Sequence, residues 1–434
     1  MYSGLNHIYR LVWDSVREAW VPVSEHCKSC GKGVARRAAL TGKLSILAVA
    51  VLPGVVNAFT AEVDTGITVT GETVAAGTQN INNGGTASAT TINTGGIQHV
   101  NSGGSASMTQ VNGGGTQNVN DGGTANDTVN SGGVVNVYAG GILNDSVLSG
   151  GYETIHSGGT ANGSTLFAGQ QSVNAGGVVN NVTVKNSAKQ DVLGTANGSI
   201  LNSGGHQVVR DTGIANDTLV ESGSVQFIQT TGTTNRTTVN AGGKQDVQGG
   251  TANDTTVNSG GMLFVSAGAT ALGVTQNSGA VLNTNTDATV SGTNALGAFS
   301  IDAATGTASN VLLDSGGRFT VNTGDTASGT TINGGGAMTV NSGGTAISTT
   351  IWGTGSQGRQ DVAAGGTAMD TTVNAGAFHG VAGTATTTTI NEGGWQYIYA
   401  GATASDTTVN SGGLFEVVAG GTAVGVVQNS GAAL

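Results

Sequence analysis

Eight Asn-x-Ser/Thr triplets recur along this chain, beginning at Asn126, Asn144, Asn162, Asn181, Asn197, Asn216, Asn235 and Asn253. An Asn in such a triplet is an acceptor for N-linked sugar, so their even spacing reads as a column of glycan sites on a repeating surface. A plainer origin is also open: Asn-Asp and Asn-Gly are good turn formers and multiply whenever a repeat is duplicated. Other reactive side chains are sparse. Cys27-x-x-Cys30 with His26 has metal-ligand spacing, but structural zinc wants four ligands and no second pair exists. Beyond residue 58 the histidines are His99, His156, His206 and His379, too far apart in sequence for a repeated metal site. The chain lacks a Gly-x-Ser-x-Gly elbow in strand–turn–helix context, a Gly-Gly-x-Gly-x-Asp calcium repeat and a glycine loop leading into a helix. The expectation is a protein without catalytic residues, metal or cofactor.

The triplets are positioned by a repeat of 18 to 19 residues running from about Gly77 to Leu434. One clear copy reads G-G-T-A-N-D-T-T-V-N-S-G-G-M-L-F-V-S-A-G, from Gly249 to Gly268. A fixed period of this size marks a solenoid. Glycine pairs alternate at intervals of about 10 and 8 residues, each interval holding one short strand and each pair turning a corner. In the short interval (Gly96-Ile97-Gln98-His99-Val100, Gly243-Lys244-Gln245-Asp246-Val247), alternation puts the second and fourth residues on one face. The fourth is nearly always apolar (Val100, Val119, Val192, Val265, Val417), which makes that face the inside. The second is Gln (Gln98, Gln117, Gln171, Gln207, Gln360, Gln396) or large and apolar (Leu263, Phe319, Met338, Phe415), and stacked amides satisfy one another. The long interval contributes Ala87, Ala125 or Ala252, then a Thr-x-Val pair such as Thr255 and Val257 sharing a face. Val-Asn pairs at Asn93, Asn112, Asn240, Asn258 and Asn410 predict an Asn ladder at a corner. Three or four modest side chains per coil are thus expected inside an all-β, right-handed parallel β-helix. About nineteen coils rising ~4.8 Å each would make a rod of roughly 90 Å. Residues 280–306 lose the spacing and predict an irregular coil. Outward positions hold Met262, Phe264, Trp395 and Tyr397, candidate contacts for a partner.

Composition and charge narrow the setting. Gly is 76 of 434 residues, Pro only 2 and charged residues 9%, which excludes collagen and charge-driven disorder. Residues 59–434 carry seven Lys/Arg against twenty-two Asp/Glu, a poor surface for phosphate backbones, so nucleic acid is excluded. Residues 1–58 are basic and contain both cysteines. The apolar run Leu44 to Leu52 follows Arg36, Arg37 and Lys43 and leads to Val56-Asn57-Ala58. It is shorter than the roughly 20 residues of a membrane span and predicts a secretory signal, helical and removed, cut between Ala58 and Phe59 or else after Ala61. The domain reading is 1–58 extended signal peptide, 59–76 N-terminal cap and 77–434 repeat passenger, with the chain ending mid-repeat and without translocator strands.

Asn6-His7-Ile8-Tyr9-Arg10-Leu11-Val12-Trp13 and Ala19-Trp20-Val21-Pro22-Val23-Ser24-Glu25 resemble the extended signal region of type V secreted proteins. Together with the G-G-T-A-N-D-T-T-V-N-S-G-G phrase, they make the chain similar to AIDA-type self-associating autotransporter adhesins. The resemblance implies a β-helical passenger exported through the inner membrane and displayed at the outer membrane by a β-barrel translocator missing from this chain; without one it would stay periplasmic. It implies autoaggregation, adhesion and biofilm formation through homotypic contacts, with a host receptor as a further partner. A heptosyltransferase partner is implied too, with Thr128, Ser146, Ser164, Thr218, Thr237 and Thr255 as candidate acceptors. The alternative is a passive stalk or spacer, or a truncated remnant without function.

Overall fold

The computed structural model describes residues 9–14, 19–24 and 59–434, which fall in two compact units, Met1–Val55 and Val56–Leu434. In the first unit, strand Tyr9–Asp14 pairs antiparallel with Ala19–Ser24, its register setting Trp13 opposite Trp20. The expected helical character of the signal segment is therefore corrected here: β-branched and aromatic residues at 12, 13, 20, 21 and 23 favour extended backbone. The apolar run at 44–52 and Ala58 lie outside the described residues.

The second unit is a parallel β-solenoid of about 19 turns. One coil shows the plan. Strand Gly96–Val100 ends at a turn through Gly103, Ser105–Ser107 follows, and Met108 bends the chain into Gln110–Asn112 before a turn through Gly114. Gly103 (φ 71°) and Gly114 (φ 77°) take the left-handed conformation that glycine adopts freely. Each strand pairs in parallel with its counterpart in the next coil, Gln98 with Gln117, Val100 with Val119 and Ala106 with Ala125. Residues 59–76, expected as a cap, already contain a coil of this plan, since Glu62–Val63, Thr68–Thr70 and Thr73–Val74 pair with the next coil.

Five side chains per coil point inward, more than the three or four expected. For the coil that starts at Thr116 they are Gln117, Val119, Ala125, Thr128 and the side chain at 130. Thr255 does share the inner face with Val257, and the third corner explains it: Met108, Asp127, Asp145, Asp217 and Asp254 there all have φ between 52° and 55°. Such a residue resets the in–out alternation, so the residue after it, Thr128 or Thr255, turns inward.

Residues 280–306 interrupt the regular coils. Thr289–Asn294 and Gly297–Asp302 form an antiparallel hairpin that packs Phe299 and Ile301 inward and leaves Leu296 exposed near its tip. On one face the stack continues past it, with Asn283–Asn285 pairing directly with Arg318–Thr320. On another, Leu312–Leu313 starts a separate seven-stranded sheet.

Candidate interaction surface

The interior disposes of one set of candidates. Thr128, Ser146, Ser164, Thr218, Thr237 and Thr255 are all buried, at most 2% exposed. Their hydroxyls donate to the amide stack: Thr128 to Gln117 Oε1 at 2.9 Å, Thr237 to Gln226 at 3.1 Å and Thr255 to Gln245 at 2.9 Å. Ser146 and Ser164 donate instead to the carboxylate of Glu153, at 2.6 and 3.2 Å. In the folded solenoid these six hydroxyls are core groups, and a sugar on any of them would displace a neighbouring coil. The left-handed residue before each one causes the inversion.

The triplet asparagines do form a column, each Nδ2 donating to the Oδ1 one coil earlier: Asn144 to Asn126, Asn162 to Asn144, and so on to Asn253. Asn181 is not in it. Asn180 occupies the column, at 2.9 Å from Asn162, while Asn181 takes the left-handed corner at φ 55°. Val182, fully buried, then fills the place Thr128 holds in its coil.

The exposed hydroxyls lie elsewhere, at the glycine turns. Ser102, Ser157, Ser222, Ser259, Ser342 and Ser411 are all exposed. Each sits beside a left-handed glycine of the next coil, where a Cβ would come within 2.5–2.7 Å of the serine Oγ (Gly122, Gly176, Gly242, Gly279, Gly365 and Gly431). Glycine there gives a turn and room for the hydroxyl together. The sequence carried this signal in its Asn-Ser-Gly-Gly turns.

Met262, Phe264, Trp395 and Tyr397 are half-buried on the outer face of the strand whose inner face carries Gln and Val. They belong to two separate groups. Lys244 lies 4.0 Å over the Phe264 ring while pairing with Asp246 at 2.8 Å. In the other group, Phe378 meets Trp395 edge-on at 4.9 Å, Trp395 meets Tyr397 at 5.9 Å and Tyr397 meets Tyr399 at 4.7 Å. Arg359 stacks over Phe378 at 4.7 Å and is held by Asp361. Sequence reasoning missed Arg359, Phe378 and Tyr399; the recurring Lys/Arg-Gln-Asp-Val phrase followed by an aromatic one coil later was the available signal.

Two titratable groups stand inside the stack. Glu153 is fully buried, and burial raises its pKa, partly countered by hydrogen bonds from Ser146, Gln171 and Ser164. His379 is fully buried and desolvation lowers its pKa to about 3. Gln396 Nε2, a donor only, lies 3.3 Å from His379 Nδ1, so the proton sits on Nε2, which has no partner. On the surface, the Arg210 guanidinium holds Asp191 below its usual range. Among the described residues no cluster of three His, Cys, Asp or Glu is arranged to hold a metal. An open notch of about 290 Å³ lies between Gly151, Tyr152, Gly169, Gln170 and Lys189, with no paired acid and base on its walls.

Side columns and an interior of stacked amides and aliphatic side chains are what a stalk or adhesive rod presents, and the sequence comparisons agree. The family described as "Adhesin of bacterial autotransporter system, probable stalk" matches residues 193–243 and 291–355. The "Extended Signal Peptide of Type V secretion system" matches residues 6–54. This chain belongs to the AIDA-type autotransporter adhesins. It is an autotransporter adhesin passenger, exported and destined for the cell surface, in a family that is not typically enzymatic. A solved structure titled "Crystal structure of TibC-catalyzed hyper-glycosylated TibA55-350 fragment" is 31% identical, covering 82% of this chain and 99% of that chain, with a TM-score of 0.27. No curated protein matches.

Proposed function

We propose that this AIDA-type passenger joins cells through side-to-side contacts between copies of the solenoid, giving aggregation and biofilm. The observation carrying the reading is the segregation of charge along a periodic surface. Residues 59–184 contain no Lys or Arg, whereas Lys185, Lys189, Arg210, Arg236 and Lys244 fall within a few coils of one another. Two copies laid antiparallel and staggered set the acidic coils of one, with Asp121, Asp127 and Asp145, against coils of the other where these five cations offset Asp191, Asp211, Asp217, Glu221 and Asp246. Each pair is weak in water, and repetition along the side turns weak pairs into avidity.

The mature passenger in this reading starts at Phe59. Heptose, which the family resemblance brings in, is assigned to the exposed turn serines Ser102, Ser157, Ser222, Ser259, Ser342 and Ser411 instead of the buried hydroxyls. The test is a settling assay on cells displaying residues 59–434 fused to an autotransporter barrel. Clumping that excess free passenger abolishes, and that fades at high salt, supports the reading. Cells that display the passenger yet stay dispersed would sink it and favour a stalk, the word in the family description itself.

A further inference from the structure

Amide ladders run through this solenoid in one direction, apart from the exposed pair in which Gln229 donates forward to Gln248. In the core, Gln98 Nε2 donates to Gln79 Oε1 and Gln117 to Gln98, at 2.8 and 2.9 Å. Gln190, Gln207, Gln226 and Gln245 do the same onto Gln171 and its successors, at 2.6–2.8 Å. At the corners, Asn101, Asn120, Asn258, Asn277, Asn391 and Asn410 each donate to the Asn one coil earlier. An amide has one donor end and one acceptor end, so a run aligned this way leaves an NH₂ unpaired at its N-terminal end.

Carboxylates repeatedly stand at that end. Gln79 donates to Glu72 at 2.7 Å, and Asn82 to Glu62 and Asp64 at 2.9 and 2.8 Å. Gln171 donates to Glu153 at 2.6 Å, Asn240 to Glu221 at 2.9 Å, Asn322 to Asp287 at 2.7 Å and Asn333 to Asp314 at 2.6 Å. The residue one coil before a head explains the choice. Before Glu153 comes Val135, which offers no acceptor, so a Gln at 153 would strand its NH₂. Before Glu221 comes Asn202, one place after the Leu201–Val220 pair, and its buried Oδ1 has no partner. No hydrogen bond joins Asn202 to Glu221, and the ladder starts with Asn240.

We propose that these carboxylates are ladder heads: acceptor-only side chains that start these six runs of aligned amides, fix their polarity and divide the solenoid into stacked blocks. Such punctuation matters in a chain of near-identical coils, where a slip by one coil otherwise costs little. A slipped head meets an amide oxygen and repels it.

Three full-chain variants test this by denaturant unfolding at pH 7. Asn258→Asp puts a head inside a ladder, where it has nothing to give Asn240 Oδ1, and lowers the midpoint. Glu221→Asn keeps the acceptor for Asn240 and supplies an NH₂ to Asn202 Oδ1, so it holds or raises the midpoint. Val135→Gln combined with Glu153→Gln joins two core ladders and is more stable than the sum of the two single shifts. Should the core pair fail to fold, the corner pair decides by itself. Equal losses for Asn258→Asp and Glu221→Asn, or strict additivity at 135 and 153, would overturn the proposal.

Discussion

Coils from Glu153 to Gln245 and coils from Leu263 to Met338 fill the same inner strand position by opposite chemistry, the second set on either side of the hairpin at 289–302. In the first block the inner second position is Glu153, Gln171, Gln190, Gln207, Gln226 and Gln245, each hydrogen-bonded to its neighbour. In the second it is Leu263, Leu282, Phe319 and Met338, each at most 1% exposed. The coil tolerates polar and apolar fillings alike, provided neighbours agree. A buried amide costs little while both its ends are paired, and much once a neighbour is removed. The apolar block depends on volume, so its errors are cavities. One mixed junction carries a flaw, as His379 Nε2 and Gln396 Oε1 both lack partners.

The largest loss is expected in the apolar block. Phe319→Ala should cost roughly 3–5 kcal/mol, the range for a fully buried phenylalanine, measured by urea unfolding. In the polar block, Gln207→Leu takes the acceptor from Gln226 Nε2 and Thr218 Oγ1 and should cost about 2–4 kcal/mol, although leucine suits the same position at 263. A cost near zero would mean the ladder does not act as a unit. At the junction, His379→Gln should stabilise by about 1 kcal/mol, because Gln restores the stack between Gln360 and Gln396.

The same residue sets a pH dependence. His379 has a folded pKa of about 3, below the ordinary 6.5, so the unfolded chain binds its proton first on acidification. Its contribution is full above about pH 6.5 and is lost as pH falls toward 3, and His379→Gln should remove that part of the slope. Glu153 runs the other way: a raised folded pKa adds stability at low pH that is lost as pH rises through that value. The smallest expected effect is at the turns, where Ser102→Ala should move stability by less than about 0.5 kcal/mol. A larger loss would give the turn hydroxyls a structural task and weaken their assignment as sugar acceptors.

Much of this was legible in the residues. The inward run of Val100, Val119 and Val192, the Gln stack and the Asn93–Asn112 pair follow from alternation and period, and the structure has them so. The outward placement of Met262, Phe264, Trp395 and Tyr397 follows from the same alternation. The hydroxyl sites were misread at the third corner, and the hairpin at 289–302 was visible only as a loss of rhythm. The aromatic group was half seen, because Arg359 and Phe378 join Trp395 from preceding coils.

The sequence by itself determined the coil: its length, its strands, and which residues of a strand face in, because alternation is a property of adjacent residues. Only the stacked structure decided what happens across the third corner. There Ala89, Met108, Arg236 and Thr387 take positive φ just as Asp127 does, although nothing in their side chains asks for it. The stack holds them, with Ala89 N bonded to Ser107 O and Met108 N to Asn126 O in the next coil. One residue forced into that conformation inverts the alternation after it, which put Thr128 inside. Only the stack, likewise, decided which carboxylate meets which amide, since those partners lie up to 35 residues apart in the chain, as with Asp287 and Asn322, and one coil apart in space.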